Sequence, residues 1–83
     1  MTSMRARVFI TPKKGVLDPQ GKAIEHSLHA LGFSEAHEVH LGKYVELALD
    51  SPNREQACQR LDDMCRKLLA NGVIEDYRFE LEE

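Results

Sequence analysis

Residues that could bind a metal ion occur in two pairs along the chain. His26 pairs with His29, and His37 with His40, each at a spacing of three. The first pair shares a helix face, as metal ligands on a helix do. The second pair falls in a predicted strand, where residues of opposite parity point to opposite faces. Because the chain also has no CxxC or HExxH spacing, we interpret the histidines as surface residues and expect no metal site.

The thiol groups are the next candidates for chemistry. Cys58 and Cys65 lie seven positions apart in one helical pattern, about 10 Å along the helix axis. That separation exceeds the reach of a disulfide bond. The neighbouring carboxylates of Asp62 and Asp63 disfavour a thiolate, so we expect buried, unreactive thiols. Two free cysteines and the absence of a recognisable signal peptide predict a cytoplasmic protein.

A basic, glycine-marked loop stands before the first predicted helix. Lys13, Lys14 and Gly15 precede Asp18-Pro19, and Asp-Pro is the typical pairing of an N-cap with proline at the first helical position. The loop is a solvated turn, a partner contact or an anion site, although the charge of Asp18 opposes an anion. No second carboxylate lies at a catalytic spacing, and the chain has no nucleophile elbow or phosphate-binding glycine motif. We therefore expect neither catalytic residues nor a bound cofactor.

Five segments must position these residues. Alternating apolar residues predict a strand over 4–11, and a further strand is predicted over 73–83. Helical periodicity predicts helices over about 19–31 and about 52–70, the second beginning with a cap-then-proline pair at Ser51-Pro52. In the second helix, the residues expected on the buried face are Ala57, Leu61, Met64 and Leu68.

The segment 39–49 allows two interpretations. Its apolar residues all have odd numbers, so they share one face of a straight strand. One interpretation is a hairpin with a three-residue turn at Gly42-Lys43-Tyr44. The other is a single long strand, kinked near Gly42. We favour the hairpin because strands usually run about five or six residues.

The order β-α-β(β)-α-β predicts a ferredoxin-like α+β fold, with two helices packed on one face of an antiparallel sheet. The 83 residues predict a single domain over 1–83. A net charge of −3 weighs against nucleic-acid binding, and no apolar run approaches the ~20 residues of a membrane span. A core this small has a thin stability margin, so we expect a homodimer or higher oligomer built on exposed strand edges.

Three stretches together carry a resemblance to a known family. KKGVLDPQGKAIEHSLHALGF, VHLGKYVEL and CRKLLANGVIEDYRFE resemble the PurS subunit of phosphoribosylformylglycinamidine synthase, an enzyme of purine biosynthesis. The resemblance runs from about Arg7 to Phe79. One departure is Gly72, which stands after Asn71 where the family commonly has proline.

The resemblance implies a non-catalytic subunit that bridges two larger proteins. A synthetase (PurL-type) subunit would bind ATP and Mg²⁺, and a glutaminase (PurQ-type) subunit would release ammonia from glutamine. The ammonia would convert formylglycinamide ribonucleotide to its amidine. We place the partner contacts at polar or glycine positions that local structure does not require, with Asp18 as a structural cap. These positions are Lys13, Lys14, Gly15, Gln20, Gly21, Gly42, Lys43, Tyr44 and Asn71.

Two rival functions are considered. ACT-like modules, which sense small molecules, have the same element order, and fold alone does not settle function. The second rival is a stand-alone enzyme that uses Asp18 or a histidine. Binding of a metabolite by the isolated chain would favour the ACT-like module, and turnover by the isolated chain would favour the enzyme.

Overall fold

A computed structural model describes residues 2–83. The elements are β1 (Thr2–Pro12), α1 (Pro19–Ala30), β2 (Lys43–Ser51), α2 (Arg54–Met64), a π-helical turn (Cys65–Leu69) and β3 (Glu75–Glu82). The order β-α-β-α-β confirms the predicted ferredoxin-like α+β class. No helix in the described part of the chain is long and apolar enough to cross a bilayer.

The sheet has the strand order β2-β1-β3, and both pairings are antiparallel. Val8 of the central strand lies opposite Val45 on one side and Phe79 on the other. The alternation predicted for β1 is confirmed, because its even-numbered apolar residues are buried. These residues are Met4, Ala6, Val8 and Ile10.

Helix α2 covers the apolar face of the sheet. Ala57, Leu61 and Cys65 follow each other at spacings of four and are fully buried against the strands. The prediction that Leu68 continues this face is wrong, since its side chain is 82% exposed. The last turn is π-helical, with Ala70 N–H donating to Cys65 O at 2.9 Å. The wider turn rotates Leu68 outward, and Ala70 is buried instead.

The start of α2 also differs from the prediction. The N-cap is Asn53 rather than Ser51, and its side chain accepts a hydrogen bond from Gln56 N–H at 2.8 Å. Ser51 is buried and donates to Asn53 O at 3.0 Å. Ser51 and Pro52 therefore shape the approach to the helix, which begins at Arg54.

The hairpin favoured for residues 39–49 is wrong. Lys43 and Tyr44 belong to β2, which pairs with β1 from Lys43 to Ser51 without a turn. Residues 39–42 precede the strand without pairing into the sheet. The alternative, one long extended segment, describes the chain better.

The shape is elongated because α1 makes little contact with the sheet. Of the residues in α1, only Gly21 is buried. The radius of gyration is 16.3 Å and the principal extents are 51 × 25 × 14 Å, whereas a compact domain of this length has a radius of about 12 Å. Residues 13–42, with α1 at their centre, therefore form an arm beyond one end of the sheet.

Candidate partner interface

Asp18 holds the two ends of the arm together. Its Oδ1 accepts from Gly21 N–H at 3.0 Å, which makes it the N-cap of α1, with proline at the next position. Its Oδ2 accepts from Leu41 N–H at 2.9 Å, and His40 Nδ1 lies 3.4 Å from the same oxygen. One carboxylate thus fixes the start of the helix and the segment that returns to the sheet.

The electrostatics of Asp18 fit this structural role. The hydrogen bond from Gly21 N–H, followed by the one from Leu41 N–H, holds the pKa of Asp18 below its ordinary value. Its side chain is only 11% exposed. A carboxylate that is charged and already engaged by two backbone donors is poorly suited to donate a proton in catalysis.

Two more side chains of α1 bind the returning segment. Glu25 Oε1 accepts from Val39 N–H at 3.2 Å, and this bond lowers the pKa of Glu25. His29 Nε2 lies 2.6 Å from Ala36 O. We call these contacts, together with those of Asp18, the polar latch. The latch uses one face of α1. It leaves exposed much of the apolar stripe of that helix, which consists of Ile24, Leu28 and Leu31.

Gly21 lies inside the latch. A β-carbon at this position would come within 2.5 Å of Asp18 Oδ2 and would also collide with Val39 O. The close backbone approach that glycine permits at position 21 therefore occurs within the chain.

The arm joins the sheet at the first residues of β3. Lys13 N–H donates to Ile74 O at 2.9 Å, and Lys13 Nζ lies 2.6 Å from Asp76 Oδ1. On the other side of the joint, Lys43 Nζ lies 3.4 Å from Glu75 Oε1. Both lysines are therefore engaged in ion pairs at the base of the arm.

Asn71 and Glu75 shape the same joint. Glu75 Oε1 accepts from Asn71 N–H at 2.8 Å, and Asn71 Oδ1 accepts from Val73 N–H at 3.0 Å. Lys43 Nζ also donates to Leu69 O at 3.3 Å. These bonds close the turn between the π-helical segment and β3.

Tyr44 faces the opposite side of the sheet from Lys43. Its ring centroid lies 5.2 Å from that of Phe9, and the guanidinium of Arg78 stacks over Phe9 at 4.0 Å. The Tyr44 hydroxyl donates to Glu46 at 2.7 Å, which raises the pKa of Tyr44. This aromatic pair is half-exposed on the uncovered face of the sheet.

The structure separates the nine predicted contact residues into three sets. Lys13, Gly42, Lys43 and Asn71 gather at the joint, where each makes close contacts within the chain; a β-carbon on Gly42 would lie 2.5 Å from Ile10 O. Gly21 lies in the latch. The remaining four, which we call the exposed group, are Lys14, Gly15, Gln20 and Tyr44; they lie outside the joint and the latch, and Gly42, Lys43 and Asn71 at the joint are exposed as well.

Sequence reasoning missed Glu25 and Glu75. Their carboxylates accept hydrogen bonds that order the latch and the joint. Glu25 lies seven residues after Asp18, so the two side chains share a face of α1. That spacing was a usable signal. Glu75 had no comparable signal, because its partners Lys43 and Asn71 are distant in sequence or across a turn.

The cleft between the loop and the returning segment has a volume of about 380 Å³. Its charged lining comprises Lys22 and the carboxylates of Asp18, Glu25 and Glu38. Within residues 2–83 no three histidine, cysteine or acidic side chains are grouped to hold a metal ion. Three carboxylates against one lysine make the lining of the cleft acidic, which disfavours an anionic ligand there.

Comparison with known proteins gives a consistent set of relatives. Residues 5–83 match the family model described as PurS: Phosphoribosylformylglycinamidine (FGAM) synthase. The chain is 46% identical over 79 residues to phosphoribosylformylglycinamidine synthase subunit PurS of Bacillus subtilis, covering 95% of this chain and 93% of that protein.

Solved structures agree over nearly the whole length. A crystal structure of Bacillus subtilis PurS superimposes with a TM-score of 0.85 at 45% identity, covering 96% of this chain and 99% of that one. A chain in the structure of PurLQS from Thermotoga maritima superimposes with a TM-score of 0.89 at 27% identity, covering 98% and 99%. The extended arm is therefore included in the matched length.

Proposed function

The chain belongs to the PurS family, and from that membership we propose that it is the small, non-catalytic subunit of phosphoribosylformylglycinamidine synthase. In this role it bridges a PurL-type synthetase and a PurQ-type glutaminase. It acts in purine biosynthesis, where the complex uses ammonia from glutamine to convert formylglycinamide ribonucleotide to the amidine.

The observation that carries the proposal is the superposition on a chain of PurLQS over 98% of this sequence. A fold shared from end to end with a component of that assembly supports the same place in a corresponding assembly. The family match also favours this function over an ACT-like sensing module.

The chemistry of the complex resides in the larger subunits. The synthetase would bind ATP and Mg²⁺, and the overall reaction would replace the amide oxygen of the ribonucleotide by ammonia-derived nitrogen while ATP is cleaved to ADP and phosphate. This chain contributes surface and carries no cofactor. Asp18, the best-placed carboxylate, is committed to the polar latch. The complex works in the cytoplasm, with a homodimer or higher oligomer of this chain within it.

The exposed group of predicted contacts is the proposed docking surface. Lys14, Gly15 and Gln20 lie together around the start of α1, and Tyr44 lies on the uncovered face of the sheet. Lys13, Lys43, Gly21, Gly42 and Asn71 support this surface from within the chain. Docking there would place the arm between the larger subunits.

The test is reconstitution with the synthetase and glutaminase of the same organism. Amidine formation is measured with glutamine as the nitrogen source, with and without this chain. We expect the chain to be required, and all three proteins to co-migrate on a sizing column in the presence of ADP and glutamine.

Ammonium chloride in place of glutamine is the matched control, because free ammonia bypasses the glutaminase. Under the proposal, the chain stimulates the glutamine-dependent reaction far more than the ammonia-dependent one. A complex that forms and works equally well without the chain would refute the bridging role.

A further inference from the structure

The outer edge of β3 is open along the whole strand. β3 is the last strand in the order β2-β1-β3, and within the described residues it pairs with β1 alone. It runs in continuous register for eight residues, Glu75–Glu82, which exceeds the usual strand length of about five or six. An edge of this length offers a row of backbone N–H and C=O groups to another extended chain.

The register with β1 identifies the backbone groups that face outward. Lys13 N–H donates to Ile74 O, the residue directly opposite when the register is continued. Such bonds recur at every second residue of an antiparallel pair, so the even-numbered residues of β3 bond to β1. Pro12, which has no N–H to donate, accordingly lies opposite the odd-numbered Glu75. The odd-numbered residues of β3 therefore direct their N–H and C=O groups to the open edge.

The chain itself closes this row of groups at both ends. Glu75 N–H donates to Asn71 O at 2.7 Å, in the turn before the strand. At the other end, Leu81 O accepts from Arg54 Nη2 at 3.1 Å. Both bonds involve odd-numbered residues, as the register requires. The groups between these ends have no partner within the described residues, and we call them the β3 edge. They are the N–H groups of Tyr77, Phe79 and Leu81 and the C=O groups of Glu75, Tyr77 and Phe79.

The two faces beside the β3 edge carry different side chains. Tyr77 and Phe79 lie on the α2 side and are only partly buried, so an added strand would cover them. The Tyr77 hydroxyl donates to Asp62 at 2.5 Å, which fixes its ring in place. The residues on the uncovered face are polar and alternate with these aromatics. They are Asp76, Arg78, Glu80 and Glu82.

The carboxylates on the uncovered face can accept further hydrogen bonds. Asp76 Oδ1 lies 2.6 Å from Lys13 Nζ, and Glu82 Oε2 lies 2.9 Å from Arg7 Nη1. Each uses one oxygen in this way, and both side chains remain more than half exposed. The second oxygen of each has no partner within the described residues. A guanidinium or ammonium group on a neighbouring strand could therefore bind there.

This surplus of acid selects the kind of strand that fits. A second copy of β3 would bring three more carboxylates, those of its own Asp76, Glu80 and Glu82, and only one more arginine. No register compensates all of them, and like charges directly opposite destabilise a pair of strands. The same carboxylates attract a strand that carries basic residues. Charge therefore disfavours a second copy at the β3 edge and favours a basic segment.

We propose that the β3 edge binds an extended segment of a partner protein as a fourth strand. The segment places apolar side chains opposite Tyr77 and Phe79, and basic side chains opposite Asp76 and Glu80. Because side chains alternate along a strand, five consecutive residues of the segment are basic, apolar, polar, apolar and basic. Main-chain hydrogen bonds hold the segment, and the side-chain pattern gives the specificity. The surface lies apart from the exposed group around the start of α1.

A short peptide with this pattern tests the site on the purified chain. The probe is TRVTVRT with blocked ends, and the matched control TEVTVET replaces its two arginines by glutamates. An NMR titration with TRVTVRT should shift the amide signals of Tyr77, Phe79 and Leu81. We expect a dissociation constant at least about tenfold lower than that of TEVTVET, because both charge pairs change sign. Equal affinities, or no shifts on β3, would overturn the proposal.

Amide hydrogen exchange distinguishes a free edge from one that is already covered. In the chain alone, the outward N–H groups of Tyr77 and Phe79 should exchange rapidly, whereas those of Arg78 and Glu80 should be protected by their bonds to β1. Near-saturating TRVTVRT should slow exchange at Tyr77 and Phe79 at least about tenfold. Strong protection of these two amides without peptide would show that a second copy covers the edge, and the proposal would be wrong.

Two charge reversals locate the basic contact. Glu80→Lys changes a carboxylate beside the β3 edge, and Asp50→Lys makes the same change on the same face of the opposite edge strand, β2. Both side chains are exposed, so both variants should keep the thermal midpoint. Glu80→Lys should raise the dissociation constant of TRVTVRT by about threefold to tenfold, whereas Asp50→Lys should leave it unchanged. Equal effects of the two would exclude a specific contact at Glu80. These measurements use the chain alone, so they are independent of whether it bridges larger subunits.

Discussion

Replacing Gly21 by alanine tests whether the polar latch holds the arm together. Gly21 is the one buried residue of α1, and its φ lies outside the left-handed region. Alanine therefore introduces no backbone strain, and its effect comes from the added β-carbon alone. That carbon would lie 2.5 Å from Asp18 Oδ2 and collide with Val39 O.

The size of the stability loss follows from how far the added β-carbon must push the neighbouring atoms away. Ordinary contact begins at 3.4 Å, so α1 and the returning segment must separate by about 1 Å. The bond from Leu41 N–H to Asp18, now 2.9 Å, would then exceed the hydrogen-bonding range. Overpacking of this kind costs about 1–3 kcal/mol, whereas alanine gains about 1 kcal/mol in helix propensity. The net loss is up to about 2 kcal/mol in the stability of the arm.

Amide hydrogen exchange, resolved by mass spectrometry, is the appropriate assay because the loss is local. Exchange in residues 36–42 should accelerate by up to about 30-fold, while exchange in β1 stays unchanged. Gly72→Ala is the matched control: nothing lies within 4 Å of its added carbon, so it should be neutral or stabilise by about 0.4–1 kcal/mol. Normal protection of 36–42 in Gly21→Ala would refute the latch.

Three further predictions address the core, the docking surface and the acid stability of the arm. Leu61→Ala, at a fully buried position, should lower the free energy of unfolding by about 2–5 kcal/mol in urea titrations, whereas the exposed Val73→Ala should change it by less than about 0.5 kcal/mol. Lys14→Glu should weaken association with the larger subunits in a binding titration while the thermal midpoint is kept; unchanged affinity would exclude this loop. The pKa values of Asp18 and Glu25 are lowered from 3.8 and 4.5, so their stabilisation is present above those values and is lost as the pH falls below them. In an NMR titration from pH 6 to 2.5, the arm should therefore lose its structure at a higher pH than the sheet. Loss of structure in both at the same pH would contradict this prediction.

Local signals in the sequence predicted much of the fold. The alternation in β1 placed four buried side chains correctly, because a half-buried strand leaves a period of two in its sequence. Asp18-Pro19 located the first helix for a similar reason, since the cap and the first proline act on adjacent backbone groups. Both features depend on residues close together in the chain.

The errors concern details of local backbone geometry that the residue pattern leaves open. Leu68 was assigned to the core by an α-helical period, but the π-helical turn after Met64 changes that period. Ser51-Pro52 looked like a helix start, yet Asn53 has the capping geometry. The hairpin was favoured on typical strand lengths, although the parity of the apolar residues already favoured a straight segment.

The replacement of Asp18 by asparagine shows how the structure changes an expectation taken from sequence. Asparagine caps helices about as well as aspartate. If Asp18 acted only as a cap, its replacement would therefore have little effect on stability. The structure adds a second acceptor bond, from Leu41 N–H to Oδ2. The amide nitrogen that replaces one oxygen cannot accept that bond. Asp18→Asn should therefore preserve the helix start but free the returning segment.

The way the arm is held explains why assembly and function fall in the same region of the chain. The sheet and α2 share a buried apolar core, whereas the arm is held chiefly by hydrogen bonds that backbone N–H groups donate to side-chain carboxylates. Such bonds contribute modestly because water competes for the same groups. The arm also exposes the apolar stripe of α1, whose burial would supply the missing stabilisation. A segment with this balance gains order when another protein surface covers it, which is the behaviour required of a subunit that works by binding.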